Sequence, residues 1–300
     1  PLRVAFVYVT PVGDAGWTYS HELARQKVAE TYQGQVETQF FENVPEGREA
    51  RKLFAELAEE YDMIFSTSWG YMVSAQRVAQ AFPEVKFEHV NGTRHSGNLS
   101  SFATRTYEAR YLSGMVAAAM SKTGKLGYVA GHGVAEVIRG LNAFTLGAQA
   151  INPDIKVAVK WTGAWYKPQV TRTLSHELIN EGADVLAQHV DSPVPVKVAQ
   201  ERGVYAIGYH TDMSEFGKDC HLGSVIHDWS GIYTERVKAA IDQKWQSENL
   251  WSGMDKQGSQ LVSLSSAIPS SVVEKIEVAK QNLAEGKLAI FKGPIKNYRG

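Results

Sequence analysis

Aromatic rings and short polar side chains recur together along this chain: Asp14, Trp17 and Thr18; Trp69; Trp165; His189, Asp191 and Ser192; Tyr209, His210 and Asp212; His227 and Asp228. An indole or phenol face stacks on a flat ring, while a carboxylate, hydroxyl or imidazole beside it directs hydrogen bonds to that ring's edge. Such sets suit a polar-edged heterocycle or a sugar. Most of them also have a structural use. Asp14 is placed to cap the helix that Trp17 opens, and Trp17 to staple that helix to its sheet. Asp191 or Ser192 can cap a helix begun by Pro193 and Pro195. Trp165 and Tyr166, following Gly163, serve no turn, which favours contact with a ligand. Trp229 reads equally as hinge packing, and Tyr61, Phe65 and Phe87 as core.

Catalytic patterns are missing. His21-Glu22 and His176-Glu177 lack the second histidine of an HExxH zinc motif and read as exposed helix residues. Gly131-His132-Gly133 follows an apolar run, but Glu136 stands where a dinucleotide fingerprint needs Gly or Ala for close helix packing. Neither a GxSxG elbow nor a Walker lysine loop occurs. His132, His189, His210 and His227 fall at equivalent places without regular ligand spacing, so hydrogen bonding by neutral imidazole is expected rather than metal ligation. The expectation is a binding protein with no metal and no cofactor.

The elements around these residues explain where they fall. Apolar runs at 2–10, 36–42, 63–66, 86–91 and 99–104 alternate with helical patterns at 17–33, 47–60, 71–81 and 107–121, the mark of parallel βαβ units. Lys122 to Lys125 break the series, which restarts at 126–130 in an echo of the first strand. Further strands follow at 156–161, 183–189, 205–209 and 221–226, with helices at 168–181 and 193–201. A helix at 228–244, a strand at 259–264 and a helix at 269–285 are too few for a third domain. The expected fold is α/β, with two Rossmann-like lobes of parallel strands: 1–122 plus about 228–258, and 123–227 plus about 259–300. In open parallel sheets ligands bind outside the carboxyl ends of the strands. Every set of residues named at the outset lies just there.

Composition excludes other classes. In 300 residues, 44% hydrophobic, 31 Lys and Arg balance 32 Asp and Glu for a net charge of −1. No dense basic run exists to attract nucleic acid or an anionic membrane. The longest apolar stretch, 112–120, is far short of the roughly 20 residues that span a bilayer. Cys220 is the only cysteine, so an intrachain disulfide is impossible. The first strand begins almost at once, and the chain reads as a mature protein already trimmed of its leader. A DNA-binding headpiece, which a regulator of this fold would carry there, is not expected.

From end to end the chain resembles the basic membrane protein family, the purine nucleoside receptor-like lipoprotein branch of type I periplasmic solute-binding proteins that serve ABC importers. The resemblance is carried by Gly13-Asp14-Ala15-Gly16-Trp17-Thr18, by Tyr111-Leu112-Ser113-Gly114, by Gly131 with Arg139 and Gly147, by Asn152-Pro153, by Gly182-Ala183-Asp184, by Ala206-Ile207-Gly208 with Asp212, and by Phe291-Lys292-Gly293-Pro294. Order and spacing together make it specific. It implies two lobes joined by three hinge crossovers, a ligand stacked between aromatic rings in a cleft between them, and delivery to an ABC permease. A monomer in the periplasm or at the cell surface is implied, with a lipidated N-terminus as anchor. Closure is expected about hinges near 122–125, 226–229 and 258–266.

Asp14 and Trp17 match the family's aspartate and stacking aromatic, and Thr18 replaces its usual asparagine. Where nucleoside-binding members carry an aspartate suited to a ribose diol, this chain has Gly208-Tyr209-His210; where they carry a lysine after the last second-lobe strand, it has His227. A carboxylate accepts from both ribose hydroxyls, whereas neutral imidazole has one acceptor. Adenine is therefore favoured, a nucleoside next, with a sugar or a purine-nucleoside-processing enzyme as the alternatives. If His210 and His227 accept hydrogen bonds from the ligand, affinity is expected to fall between pH 7 and pH 5 as they protonate.

Overall fold

Strands covered by helices on both faces must be apolar on both faces, and here Val4 to Val7 and Met63 to Phe65 are without exposure to solvent. The computed structural model describes residues 1–294; the expectation for 295–300 lies outside the described residues. The chain runs β1 (Leu2–Val7), α1 (Trp17–Thr31), β2 (Val36–Phe41), α2 (Arg48–Ala58), β3 (Met63–Ser66), α3 (Met72–Ala81), β4 (Lys86–Val90) and β5 (Leu99–Thr104). It continues through α4 (Thr106–Met120), β6 (Lys125–Ala130), α5 (Ala135–Ile151), β7 (Lys156–Trp161), α6 (Pro168–Asn180), β8 (Val185–His189), α7 (Val194–Arg202), β9 (Tyr205–His210) and β10 (His221–His227). Last come α8 (Ser230–Ile241), β11 (Asn249–Ser252), β12 (Ser259–Val262) and α9 (Ser270–Ala284).

Two six-stranded sheets result, ordered β2-β1-β3-β4-β5-β11 and β7-β6-β8-β9-β10-β12. All neighbours are parallel except β10 and β12. The first five strands of each sheet share one order, so the echo between β1 and β6 is an echo of topology. Each sheet reverses direction of growth beside its first strand, between β1 and β3 and between β6 and β8.

The first compact unit is 1–104 with 228–252, and the second is 105–227 with 253–300. The chain therefore passes between units at 104–105, 227–228 and 252–253. The units thus divide at 104–105 and 252–253 rather than at the 122–123 and about 258–259 expected. The reason is α4, which packs on α5 and joins the second unit's core. Gly114 of α4 lies against the Phe144 carbonyl and Gly147 of α5 against the Tyr111 carbonyl, so closely that a methyl group at either would overlap backbone. The polar break after α4 is a turn within the second unit.

In the first unit β11 was not foreseen, being short and half-exposed. It is held by Arg236 of α8, which donates to Glu88 (2.6 Å), Glu248 (2.5 Å), Ser100 (2.8 Å) and the Gln246 carbonyl (2.6 Å). Burial pushes the Glu88 carboxyl up to about 7, against the lowering pull of Arg236. His21 and Glu22, expected on an exposed helix face, are both buried. Glu22 accepts from Tyr8 Oη (2.9 Å) and from Arg25 through both carboxylate oxygens, while His21 Nδ1 meets Tyr233 Oη. No helix among the described residues is long and apolar enough to cross a membrane.

Because Gly147 sits in contact with a facing backbone, Gly147→Ala is expected to destabilise the second unit by roughly 1–3 kcal/mol, the range for overpacked cores. Urea unfolding checks it, and an unchanged midpoint would show that α4 and α5 separate freely.

Candidate functional site

In the second unit five consecutive parallel strands bring their carboxyl ends to one edge, and the rings they carry meet. Trp165, in the loop after β7, lies edge-on to His132 at 4.7 Å and faces His189 at 6.3 Å between centroids. His189 ends β8 and contacts Tyr209 at 4.7 Å and His210 at 5.2 Å. His210 in turn stacks on His227 at 5.2 Å. Trp165 approaches the sheet closely because Gly131 has no side chain: a Cβ there would lie 3.0 Å from the indole. The Trp165 carbonyl accepts from the Asp191 N–H (2.8 Å), and the Gln188 side-chain amide donates to the carbonyls of Val190 and Ser192, which shapes the loop after β8. Ser192 Oγ accepts from the Val194 N–H (3.2 Å) just ahead of α7, whose N-cap is Pro193 without a side-chain cap bond. Asp191 and Ser192 are both buried beside the rings.

His210 has φ 72, a left-handed conformation that costs a residue with a Cβ about 1–2 kcal/mol. It sets His210 Nδ1 3.1 Å from His227 Nε2, and His227 Nδ1 lies 3.4 Å from Thr106 Oγ1. At this distance one of the two nitrogens donates to the other. The tautomer of His227 then fixes whether His210 Nε2 donates or accepts.

The first unit is arranged differently. Trp17 is half-buried, gives its indole N–H to the Thr67 carbonyl (2.7 Å) and packs edge-on against His21 and Trp229. Thr18 is buried and bonded to Thr10. Asp14 is exposed and does not cap α1, whose N-cap is Gly16 at φ 111 without a side-chain bond. Trp69 is 42% exposed on a short turn after β3. Asp228 is exposed and accepts from the Ser230 N–H (3.0 Å), starting α8. Trp229 is core of this unit: buried, stacked on His21 at 4.9 Å and donating to Ser20 Oγ.

The chain matches the family model for PnrA-like ABC transporter substrate-binding proteins over residues 2–294. It belongs to that family. A purine-binding protein of Brucella abortus is 41% identical over 300 residues, covering 100% of this chain and 85% of that protein. A Haloferax volcanii protein named for glucose binding in an ABC transporter is 33% identical, over 97% of this chain and 74% of its own length. Among solved structures, an ABC transporter solute-binding protein from Aeropyrum pernix superposes with TM-score 0.85 at 19% identity, over 96% of this chain and 92% of that one. The fold is thus the type I periplasmic-binding-protein fold.

Within this substrate-binding protein the ring cluster rests on a residue that sequence reasoning passed over. Arg110 of α4 is wholly buried, with its guanidinium carbon 3.4 Å from the Tyr209 ring centroid and 5.2 Å from that of Tyr128, and it donates to the Gln188 carbonyl. Its signal was available: Arg110 shares a helical face with Ser113, Gly114 and Ala117, all buried. Around it Arg110 Nε and Nη1, Tyr128 Oη, Gln188 Oε1 and His189 Nδ1 have no hydrogen-bond partner among the described residues. Groups of this kind gather where a structure must meet a polar ligand or water. Asp212, by contrast, accepts from the Ser214 N–H and from Ser263 Oγ, and lies 4.0 Å from His221 Nε2.

Burial, aided by the charge of Arg110, pulls the proton affinity of His227 down to about 3, and the same causes followed by His227 hold His189 well below the usual histidine value. The pH 7 to 5 loss expected through His227 is therefore corrected: it stays neutral across that range. Between about pH 6.5 and its native value of about 3, His227 stays neutral in the native protein while the unfolded chain takes up a proton, so it opposes stability by up to ~1.4 kcal/mol per pH unit as pH falls, and His189 acts in the same sense. The carboxyls of buried Glu88 and half-buried Glu136, both raised to about 7 chiefly by loss of solvent, act in the opposite sense from pH 7 down to their unfolded values. The imidazole carbon resonances of His189 and His227 are expected to stay flat from pH 8 to 5. In Arg110→Met their midpoints should rise but remain below 6.5, since burial is the larger cause; a wild-type midpoint near 6 would mean the rings are hydrated.

Proposed function

We propose that this protein is the extracytoplasmic solute-binding component of an ABC importer and that its ligand is a purine, with adenine preferred to its nucleoside. The observation that carries the reading is the run of Trp165, His189, Tyr209, His210 and His227 at adjoining strand ends. Such rings cover a flat heterocycle, and neutral imidazoles supply single donors and acceptors to its edge. The 41% identity to a protein named for purine binding supports it. Asp191 and Ser192, adjoining the same rings, are proposed edge contacts, with Asp14, Trp17, Thr18, Trp69 and Asp228 as further contacts from the first unit; Asp212 stabilises its turn. The protein acts as a monomer that hands its ligand to a permease, and catalyses nothing.

A ribose needs partners for two hydroxyls, and each polar group buried without one costs about 1–3 kcal/mol. His210 stands where a carboxylate would serve a diol. Calorimetry is therefore expected to find adenine binding at least as tightly as adenosine or inosine, and glucose binding negligibly. Nucleoside binding tenfold or more tighter than the base would overturn the reading of His210; glucose binding alone would move the protein to the sugar class. Trp165→Ala should weaken adenine by about 1–3 kcal/mol, as for bases stacked on aromatics, without lowering the melting temperature. Trp17→Ala should lower it, because that indole is tied to the core.

A further inference from the structure

The groove between α2 and α3 in the first unit is lined by four cations, Arg48, Arg51, Lys52 and Arg77, around a floor that includes Val78 and Phe82, and encloses about 460 Å³. Arg48, Arg51 and Arg77 have no carboxylate within salt-bridge distance among the described residues, and Lys52 reaches only Glu56, at 3.8 Å with both side chains largely exposed. The chain as a whole carries a net charge of −1. Three unpaired guanidinium groups in one groove are thus a local excess that neither net charge nor fold stability requires. Like charges this close repel one another, and helix propensity would be served equally by neutral residues.

From this juxtaposition we infer that the groove is a docking site for an acidic segment of a partner protein, one that alternates carboxylates with apolar side chains. The guanidinium groups offer paired N–H donors that match carboxylates. The half-buried Phe82 offers apolar surface to the side chains between them. A broad anionic surface fits less well, since Glu49 and Glu56 of α2 and Glu84 beyond α3 are exposed carboxylates on or next to the same helices, Glu56 lying 3.8 Å from Lys52. A narrow segment lying along the groove avoids them. The surface belongs to α2 and α3 alone, so the inference is independent of the ligand reading above.

The test uses the full chain and a fluorescein-labelled peptide of glutamates with regularly spaced leucines, followed by anisotropy at low and high salt. The acidic peptide is expected to bind, its glutamine counterpart to bind at least about tenfold more weakly, and added salt to weaken the complex. The variant Arg48→Gln, Arg51→Gln, Arg77→Gln should lose about tenfold in peptide affinity while keeping its purine isotherm and melting temperature. Equal binding of the glutamine peptide, or undiminished binding by the variant, would overturn the proposal. So would co-sedimentation with phosphatidylserine vesicles that is stronger than peptide binding and lost in the variant, because the occupant would then be a membrane.

Discussion

A parallel sheet delivers every strand's carboxyl end to one edge, and the chemistry of this protein follows from that constraint. Hydrogen bonding between neighbours fixes the spacing of β6 to β10, so side chains from residues scattered between 131 and 227 arrive within ring-contact distance of one another. No single segment supplies a site. Where the sheet reverses its direction of growth, between β6 and β8, the loops part and Trp165 has room to lie over His132 and toward His189. This is the geometry in which open α/β sheets take ligands.

Beneath those rings a buried guanidinium sets the electrostatics. An isolated charge in a protein interior is costly unless it is bonded or balanced, and Arg110 is held by one carbonyl and the faces of two tyrosines. Burial chiefly, and its field in addition, make a second positive charge here unfavourable and keep His189 and His227 neutral. Loss of solvent leaves the Glu136 carboxyl raised, against the lowering pull of Arg139 and, after it, Arg110.

The two units share a topology and use their aromatic residues differently. In the first, Trp17, His21, Trp229 and Tyr233 are bonded and stacked into one another and into the core below β1 and β3. In the second, the rings cluster with several polar atoms left unmatched. The first set lies on or beside α1 and α8, whereas the second ends strands β8, β9 and β10.

Periodicity alone determined the α/β class, the alternation of strands and helices, and the location of Trp165, His189, Tyr209, His210 and His227 at strand ends, because those depend on local pattern and on the geometry common to all parallel sheets. The order of motifs marked the family for the same reason. Strand pairing and helix contact are non-local, and they decided the rest. Gly114 and Gly147 move α4 into the second unit through a close crossing that the polar break at Lys122 disguised. Arg236 recruits β11 from a segment with little strand character. Asp212 carried the family's motif yet is engaged by Ser214 and Ser263, and Asp14 stands clear of the cap it was expected to make. Arg110 lay in plain view in an apolar helix, but its partners are 78 residues away at Gln188, and only folding brings that charge under the rings it governs.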